Sequence, residues 1–384
     1  MGYNYITIIP LIGGMTLGNI KATKVKPKCL LSYSIFSNND NHLVKYLKNV
    51  PYYLLDEKKY SFKEKIDFVS SVCPCAGLSM LNSSKDNGEK SRGEEAIQNQ
   101  WMYKTASYVL STIKPRVMFG ENAPNLFTDA GKAVREKLQR IGKANGYTFL
   151  VIKTSTLNHG VPQNRVRTFY FFFEGNKIPK PKQIKKHYTK LDEFLSVKNY
   201  SSLKHFDDFI VKDTLKENGY YLYALKELGK NYREIILEGK NTNSILAYCV
   251  KKKNLSTLKK YLNDNELRRF KRILSKLDDG LGYWNPSPII VSDYTNAIIG
   301  KNCRIIHPIE ERYLSVRDTM ILMSLPNDFK LQSEDFHHVF QNVPVNTAAD
   351  YTNFVLDFLN NKIELLDESY LLYNNINDTL KKGE

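Results

Sequence analysis

The chain has 384 residues, 42% apolar and 25% charged, which is ordinary for a soluble globular protein with room for more than one domain. No apolar run is long enough to span a bilayer, so the composition excludes a transmembrane protein. The five cysteines are irregularly spaced and form no CxxC pair, which predicts a reducing, cytoplasmic compartment and no metal site. The net charge of +16 predicts a polyanionic partner, although a merely basic protein is the alternative.

The first half of the chain alternates short apolar runs with amphipathic segments, and this pattern predicts a parallel α/β sheet covered on both faces. The predicted strands are residues 5–10, 29–36, 52–55, 66–72, 116–120, 147–154 and 169–173. The predicted helices of this half are residues 42–49, 99–113 and 128–144. The first strand runs into a glycine loop that opens a short helix, as in proteins that hold a nucleotide-like cofactor, but this signal alone is weak.

The composition shifts after Gly175. Residues 177–182 contain two prolines between lysines and are predicted to form a linker. The segment from there to about residue 280 is strongly basic and loses the strand–helix alternation, with a predicted helix at 258–277. Its lysine runs are either solvated surface or phosphate contacts. Predicted helices at 316–325 and 348–360 restore the regular pattern.

Three polar groups follow predicted strands: Cys75, Glu121, and the pair Arg165 and Arg167. Strand ends converge at one edge of an open α/β sheet, so these side chains are expected to meet. Each also has a purely structural interpretation. A free cysteine is often buried and inert, and a glutamate after a strand often stabilises the N-terminus of a helix. Together, a thiol, a carboxyl and two guanidinium groups are typical of an active site.

These residues lie in segments that resemble the ordered motifs of the DNA cytosine-5 methyltransferases. The segments are Pro74-Cys75-Ala76-Gly77-Leu78-Ser79, Glu121-Asn122-Ala123, Gln163-Asn164-Arg165-Val166-Arg167, a ninth motif beginning at Arg312-Tyr313-Leu314-Ser315, and Gln341-Asn342-Val343-Pro344. The resemblance implies a Rossmann-like class I methyltransferase fold with a smaller basic target-recognition domain. The implied catalytic domain covers residues 1–176 and is completed by residues 336–384, while residues 177–335 would form the recognition domain and hinge.

The resemblance also implies the chemistry. Cys75 would add to carbon 6 of a flipped-out cytosine, Glu121 would hold or protonate ring nitrogen 3, Arg167 would bind the cytosine carbonyl, and Arg165 would orient the site. S-adenosylmethionine would be the methyl donor. The residues implied to bind it are Ile9, Leu11, Ile12, Gly13, Gly14, Ser34, Asp56, Pro74, Gln341, Asn342 and Val343.

Double-stranded DNA is the implied partner of a monomeric enzyme, encoded by a bacterium or a phage and associated with the nucleoid. The residues expected to contact DNA are Ser79, Asn122, Tyr283 and Trp284. The polar segment 81–95 is expected to close over the flipped base. Whether a restriction endonuclease accompanies the enzyme stays open, as do an RNA substrate, a variant alkyl donor and a catalytically inactive DNA-binding protein.

Several positions depart from the family pattern. Ile9 replaces an aromatic residue and Leu11 replaces a glycine in the cofactor loop, while Ala76 follows the cysteine in place of glutamine. Ser34 stands where an acidic residue would bind the cofactor ribose, and Asn38, Asn39 or Asp40 could substitute for it. The asparagine of the last motif falls on Gln341 or is displaced by one residue to Asn342.

Overall fold

The computed structural model describes residues 2–78, 94–196, 215–252, 254–282, 287–298, 304–332, 337–367 and 376–378. The chain divides into two compact units, numbered in the order of their first residues. The first comprises Met1–Val161, Arg165–Tyr188 and Met323–Glu384, and the second comprises Pro162–Asn164 and Thr189–Leu322. None of the helices in these described ranges has the length and apolar content needed to cross a membrane.

An eight-stranded sheet forms the centre of the first unit. Its strands, numbered along the whole chain, are β1 (Tyr5–Ile8), β2 (Cys29–Ser32), β3 (Tyr52–Leu54), β4 (Phe68–Ser71), β5 (Val117–Asn122), β6 (Tyr147–Ser155), β8 (Val166–Glu174) and β14 (Ile376–Asp378). Their spatial order is β14-β6-β8-β5-β4-β1-β2-β3. Strands β1, β4 and β5 are buried along their whole length, although β4 ends in two serines and β5 in Glu121 and Asn122.

The expected parallel sheet is confirmed for most strands, but β8 is antiparallel to both of its neighbours, β5 and β6. Its direction decides where the site lies. Because β8 is reversed, its first residues lie beside the last residues of β5, with Asn122 paired to Thr168 and Glu121 to Phe169. Thr154, near the end of β6, is paired with Arg167. The start of β8 therefore shares an edge with the ends of the parallel strands.

Helices cover the sheet of the first unit. They are α1 (Gly14–Thr23), α2 (Ser37–Leu47), α3 (Ile97–Tyr108), α4 (Lys132–Ala144), α12 (His337–Gln341) and α13 (Val345–Leu359). Two apolar clusters fill the space between helices and sheet; one contains Ile6, Val69 and Met102, and the other contains Phe171, Tyr351 and Val355. Helices α1 and α13 approach closely because Gly18 has no side chain: a Cβ atom there would lie 2.4 Å from Cβ of Ala348.

Residues 177–182 are not a linker, so that prediction is wrong. Lys177–Pro179 forms β9, which pairs antiparallel with β13 (Leu365–Asp367) inside the first unit. Ile178 is fully buried in the apolar cluster of Phe171. The prolines and lysines suggested an exposed segment, whereas one buried isoleucine attaches it to the sheet.

The second unit has its own apolar core, built around Tyr220, Ala224, Cys249 and Phe270. Its strands are β7 (Gln163–Asn164), β10 (Thr242–Ser244), β11 (Ile289–Val291) and β12 (Thr295–Asn296). Its helices are α5 (Leu191–Leu195), α6 (Gly219–Glu227), α7 (Tyr232–Leu237), α8 (Ile245–Lys252), α9 (Leu255–Leu258), α10 (Asp264–Asp278) and α11 (Val316–Leu322).

Helix α10 shows how sequence and structure agree in the second unit. Asn263 accepts a hydrogen bond from the Glu266 backbone (2.9 Å), and the Glu266 carboxylate accepts one from the Asn263 backbone (3.1 Å). This reciprocal pair begins the helix. Phe270 and Ile273 are buried, whereas the basic side chains of the opposite face are exposed. Those exposed cations are Arg268, Arg269, Lys271, Arg272 and Lys276.

Candidate active site

Cys75 lies on the loop that leaves β4, at the edge of the sheet where the parallel strands end. Its carbonyl accepts a hydrogen bond from the Leu78 backbone at 3.0 Å, which closes a short helical turn directly after it. Gly77 is needed in this turn, because a Cβ atom there would meet Ala96 and Asn99 at 3.0 Å. Pro74 and Cys75 are half-buried.

Cys73, two residues earlier, has a different environment. Its side chain is buried in the apolar cluster, within 4.0 Å of the Tyr170 hydroxyl. Burial raises the pKa of its thiol to about 11. The structure therefore separates the two neighbouring cysteines into a core thiol and a half-exposed one at the sheet edge.

Glu121, Arg165 and Arg167 meet at the same edge. Glu121 is the fifth residue of β5 and is only 4% exposed. Nε of Arg167 lies 2.8 Å from its Oε1. That N–H is not aligned with the oxygen, so among the described residues Oε1 has no hydrogen-bond partner of acceptable geometry. A buried carboxyl oxygen is thus left able to bind a polar group that enters the site.

Arg165 is the largest fully buried side chain and is only 1% exposed. Its backbone N–H donates to the Thr156 hydroxyl at 3.2 Å, which fixes the loop between β6 and β8. Burial lowers the pKa of its guanidinium to about 9, and the nearby Arg167 adds to this effect. Glu121 and Cys75 instead raise the pKa of Arg165, so the four groups form one electrostatic cluster.

The same four side chains shift the pKa values of the two acidic groups, Glu121 and Cys75. Burial raises the pKa of Glu121, while Arg167 and Arg165 oppose that shift. Burial also raises the pKa of Cys75, with Glu121 adding to it and both arginines opposing it. Both acids are therefore shifted towards their protonated forms in the absence of substrate.

Asn122, which was expected to contact DNA, is fully buried. Its Oδ1 accepts a hydrogen bond from the Ala123 backbone at 2.8 Å, and its Nδ2 faces the Met102 sulfur at 3.9 Å. In the structure the amide therefore fixes the turn after β5, and contact of Asn122 with DNA stays a prediction.

The glycine loop after β1 contains the predicted cofactor residues Ile9 to Gly14. Ile9 and Ile12 are buried. Gly13 has a φ of 101°, and a Cβ atom there would lie 2.4 Å from Leu43 of α2. Ile9 and Leu11 also have positive φ values, 53° and 51°, which residues other than glycine rarely adopt.

Residues from the far end of the chain complete this loop. The Gly14 N–H donates to Oδ1 of Asn342 at 2.9 Å, and a Cβ atom at Gly14 would overlap the Val343 carbonyl. Asn342 and Val343 are buried, whereas Gln341 is exposed. The asparagine beside the loop is thus Asn342, and its Nδ2 has no hydrogen-bond partner among the residues that the structure describes.

Ser34 and Asp56, from the segments after β2 and β3, are directly joined. The Asp56 carboxylate accepts hydrogen bonds from the Ser34 backbone (2.7 Å) and hydroxyl (2.9 Å). Lys104 lies 3.9 Å from the same carboxylate. The glycine loop follows β1, with the unsatisfied Asn342 amide beside Gly14, and the Ser34–Asp56 pair follows the adjacent strands β2 and β3. This arrangement fits an adenosine-containing donor.

Some predicted residues lie outside the described ranges. These are Ser79, Tyr283 and Trp284, as well as most of segment 81–95. Among the described residues, no group of three or more histidine, cysteine, aspartate or glutamate side chains is arranged to hold a metal ion.

Asp40 has a place in the site that sequence analysis missed. It was considered only as a substitute ribose ligand, but its side chain is fully buried. Its carboxylate accepts hydrogen bonds from the Leu11 backbone and from the Tyr52 hydroxyl, each at 2.8 Å. The signal was its spacing: Asp40, Leu43 and Leu47 recur at helical intervals on the buried face of α2.

Known methyltransferases resemble this chain in sequence and in fold. The family model for C-5 cytosine-specific DNA methylases matches residues 8–352. The type II methyltransferase M.BanI of Aneurinibacillus aneurinilyticus is 28% identical over 184 residues, which are 46% of this chain and 40% of that protein. The chain therefore matches less than half the length of that relative.

Solved structures show the same fold at low identity. A structure described as a prophage-encoded DNA modification methyltransferase of E. coli superposes with a TM-score of 0.57 at 16% identity, covering 94% of this chain and all of that one. The Entamoeba histolytica methyltransferase EhMeth gives 0.52 at 13% identity, with 94% and 99% covered. Spodoptera frugiperda DNMT2 gives 0.51 at 8%, with 92% and 100% covered. With the family model matching most of its length, this chain belongs to the C-5 cytosine-specific DNA methylases.

Proposed function

We propose that this protein transfers a methyl group from S-adenosylmethionine to carbon 5 of a flipped-out cytosine in duplex DNA. The observation that carries the proposal is the cluster of Cys75, Glu121, Arg165 and Arg167 at one sheet edge. The glycine loop of β1 and the Ser34–Asp56 pair lie at the ends of strands in the same sheet. S-adenosylmethionine held there would supply an electrophilic methyl group.

Cys75 would start the reaction on the cytosine ring. Carbon 5 is a poor nucleophile until a thiolate adds to carbon 6. The new S–C6 bond shifts the electrons of the C5–C6 double bond to carbon 5, which can then attack the methyl group. Because burial raises the pKa of Cys75, its thiol must give up its proton, to water or another base, for the S–C6 bond to form. The guanidinium groups of Arg165 and Arg167 favour that loss.

Glu121 would act on ring nitrogen 3. Because burial raises the pKa of Glu121, the carboxyl is shifted towards its protonated form and would donate a proton or hydrogen bond as charge develops on the ring. Its Oε1 has no well-formed hydrogen bond among the described residues, so the ring need not displace one. Arg167, already 2.8 Å from that oxygen, would contact the neighbouring ring carbonyl.

After methyl transfer, the proton on carbon 5 must leave to a base or water, and the S–C6 bond then breaks. This restores the aromatic ring and the Cys75 thiolate, so each bond that the thiol forms is also broken. We assign none of the described residues as the final base.

DNA is proposed as the substrate because the chain carries a net charge of +16 and α10 has a row of exposed cations. Since a cytosine within a duplex cannot reach a half-buried thiol, the base would have to leave the stack. Residues outside the described ranges, Ser79, Tyr283 and Trp284, stay candidates for phosphate and base contact.

The test is methyl transfer from S-adenosylmethionine labelled in its methyl group. Wild-type protein should place the label on carbon 5 of cytosine in duplex DNA, and Cys75→Ala should not. Cys73→Ala is the matched control, because it removes the neighbouring core thiol and should retain transfer. Label on an RNA cytosine alone, or equal transfer by Cys75→Ala, would overturn the proposal.

A further inference from the structure

The loop that follows β1 adopts a backbone conformation that its own sequence does not favour. Ile9 and Leu11 have φ values of 53° and 51°, although neither is glycine. A left-handed conformation is especially unfavourable for β-branched isoleucine. Such conformations persist only where neighbouring groups hold them in place. The loop therefore needs contacts from outside itself to keep its shape.

Helix α2 provides two such contacts one turn apart. The carboxylate of Asp40 accepts the Leu11 N–H at 2.8 Å, and the side chain of Leu43 fills the space beside Gly13. Residues 40 and 43 lie on the same helix face because they are three positions apart. Helix α2 thus contacts the loop at both ends of the Leu11–Gly13 segment.

Asp40 is in turn oriented by the sheet. The Tyr52 hydroxyl, on the edge strand β3, donates to the second carboxylate oxygen at 2.8 Å. Both oxygens therefore have a protein donor, and the side chain is fully buried. This arrangement leaves no oxygen directed to solvent, so Asp40 does not act as a ligand of the donor.

We propose that Asp40 is a positioning residue for the donor-binding loop, Ile9–Gly14: it fixes the Leu11 N–H and so keeps the left-handed residues of this loop in place before the donor binds. Asn342 does the same for the Gly14 N–H from the other side. The proposal rests on the proposed function, since the loop must bind S-adenosylmethionine for this shape to matter. A loop already in its bound conformation loses less entropy when its ligand binds.

The experiment compares Asp40→Ala, Asp40→Asn and Tyr52→Phe with wild type. The matched control is Asn41→Ala, which changes the next residue of α2, whose side chain is exposed. The readouts are the Kd of S-adenosylhomocysteine, measured by calorimetry, and the hydrogen-exchange rates of the loop amides in the protein without donor. Neither readout depends on catalysis.

Asp40→Ala should weaken S-adenosylhomocysteine binding by about 10- to 100-fold, as expected for removing a hydrogen bond to a charged group. The same variant should also speed exchange of the Leu11 amide. Asp40→Asn keeps an acceptor oxygen and should stay within about threefold of wild type, as should Tyr52→Phe and Asn41→Ala. The proposal would be overturned if Asp40→Ala bound S-adenosylhomocysteine as tightly as wild type and its Leu11 amide exchanged at the wild-type rate.

Two further outcomes separate the possible failures. If Asp40→Ala does not fold, the test is the hydrogen-exchange rate of the Leu11 amide in wild type. Slow exchange supports the proposal, and exchange at the rate of a free peptide contradicts it. If wild type does not bind S-adenosylhomocysteine but its Leu11 amide is protected and Asp40→Asn preserves that protection, the proposed donor fails while the loop contact stands.

Discussion

At the scale of single residues, the site combines groups whose pKa values are shifted by burial and by one another. Glu121 is the most informative, because a carboxyl that is nearly inaccessible to water and shifted towards its neutral form can act as an acid. The nearby arginines limit this shift and also oppose the raised pKa of the Cys75 thiol, which favours its thiolate. The balance among these four side chains gives the site its proposed chemistry.

Glu121→Gln should reduce kcat by about 100- to 10,000-fold, because the amide keeps the shape of the side chain but cannot deliver a proton. S-adenosylhomocysteine binding should not change, since Glu121 is not among the residues proposed to hold the donor. Glu174→Gln, an exposed glutamate at the far end of the neighbouring strand β8, is the control and should retain activity. Steady-state methylation kinetics check this, and an active Glu121→Gln would contradict the assigned role.

The buried Asp40 carboxyl is expected to make the free energy of unfolding depend on pH. Burial raises the pKa of its carboxyl from 3.8 to about 6, although hydrogen bonds from Tyr52 and Leu11 partly oppose the shift. The folded state therefore binds this proton more tightly than the unfolded state. Its contribution to stability is complete below about pH 4 and is lost as the pH rises through about 6.

Asp40→Asn cannot titrate, so it provides the comparison. Between pH 4 and pH 7 the free energy of unfolding of wild type should fall relative to Asp40→Asn, on the order of 3 kcal/mol. Urea unfolding at several pH values measures this difference. A difference that stays constant across the range would show that Asp40 is not a buried, titrating carboxyl.

At the scale of elements, the contact between α1 and α13 holds both ends of the chain together beside the donor loop. Asn342 precedes α13 and Gly14 begins α1, so a shift of one helix against the other would separate the Gly14 N–H from its acceptor. Gly18 permits the close approach of the two helices. The packing of this helix pair is therefore linked to the shape of the donor loop.

Gly18→Ala tests that packing. Alanine favours a helix over glycine by about 1 kcal/mol, so α1 alone would gain stability. A Cβ atom at this position, however, would lie 2.4 Å from Cβ of Ala348 and 2.8 Å from the Ala349 backbone nitrogen. We expect a net loss of about 1–3 kcal/mol in the free energy of unfolding. Gly282→Ala, where a Cβ atom meets none of the described residues within 4 Å, is the control, and equal effects would contradict the prediction.

The sequence predicts most elements of the sheet, because its buried strands are apolar runs bounded by glycine, proline and polar residues. It does not predict the direction of β8: the local pattern Val166–Glu174 is the same for a parallel or an antiparallel strand. That direction puts Arg167 beside Glu121. It also does not predict β9, since proline and lysine suggest a loop and the pairing partner of β9 is β13, near the end of the chain.

The site is partly predictable for a similar reason. Cys75, Glu121, Arg165 and Arg167 belong to compact motifs, so resemblance identifies them. The contact of Gly14 with Asn342 joins residues 328 positions apart, and the Asp40–Leu11 contact depends on the path of the loop. Asn122 also makes a contact that its motif does not predict, because its buried amide accepts a hydrogen bond from the Ala123 backbone in the turn after β5.

At the scale of the whole molecule, the net charge of +16 and the exposed cations of α10 predict DNA binding that weakens steeply with salt. Replacing Arg268, Arg269, Lys271 and Arg272 with alanine should reduce the slope of log K against log salt by about 1 for each phosphate that is no longer neutralised. Replacing four exposed lysines of the first unit, Lys58, Lys59, Lys63 and Lys65, removes the same charge and is the control. Equal slopes for both variants would show that α10 has no special part in binding.

The central claim is that Cys75 forms a covalent bond with cytosine while its neighbour Cys73 does not. Duplex DNA carrying 5-fluorocytosine tests it, because fluorine at carbon 5 prevents the elimination that would release the enzyme. With S-adenosylmethionine present, wild type and Cys73→Ala should form a denaturation-resistant complex, and peptide mapping should place the DNA on Cys75. A complex formed equally well by Cys75→Ala, or none formed by wild type while it methylates ordinary cytosine, would contradict the account.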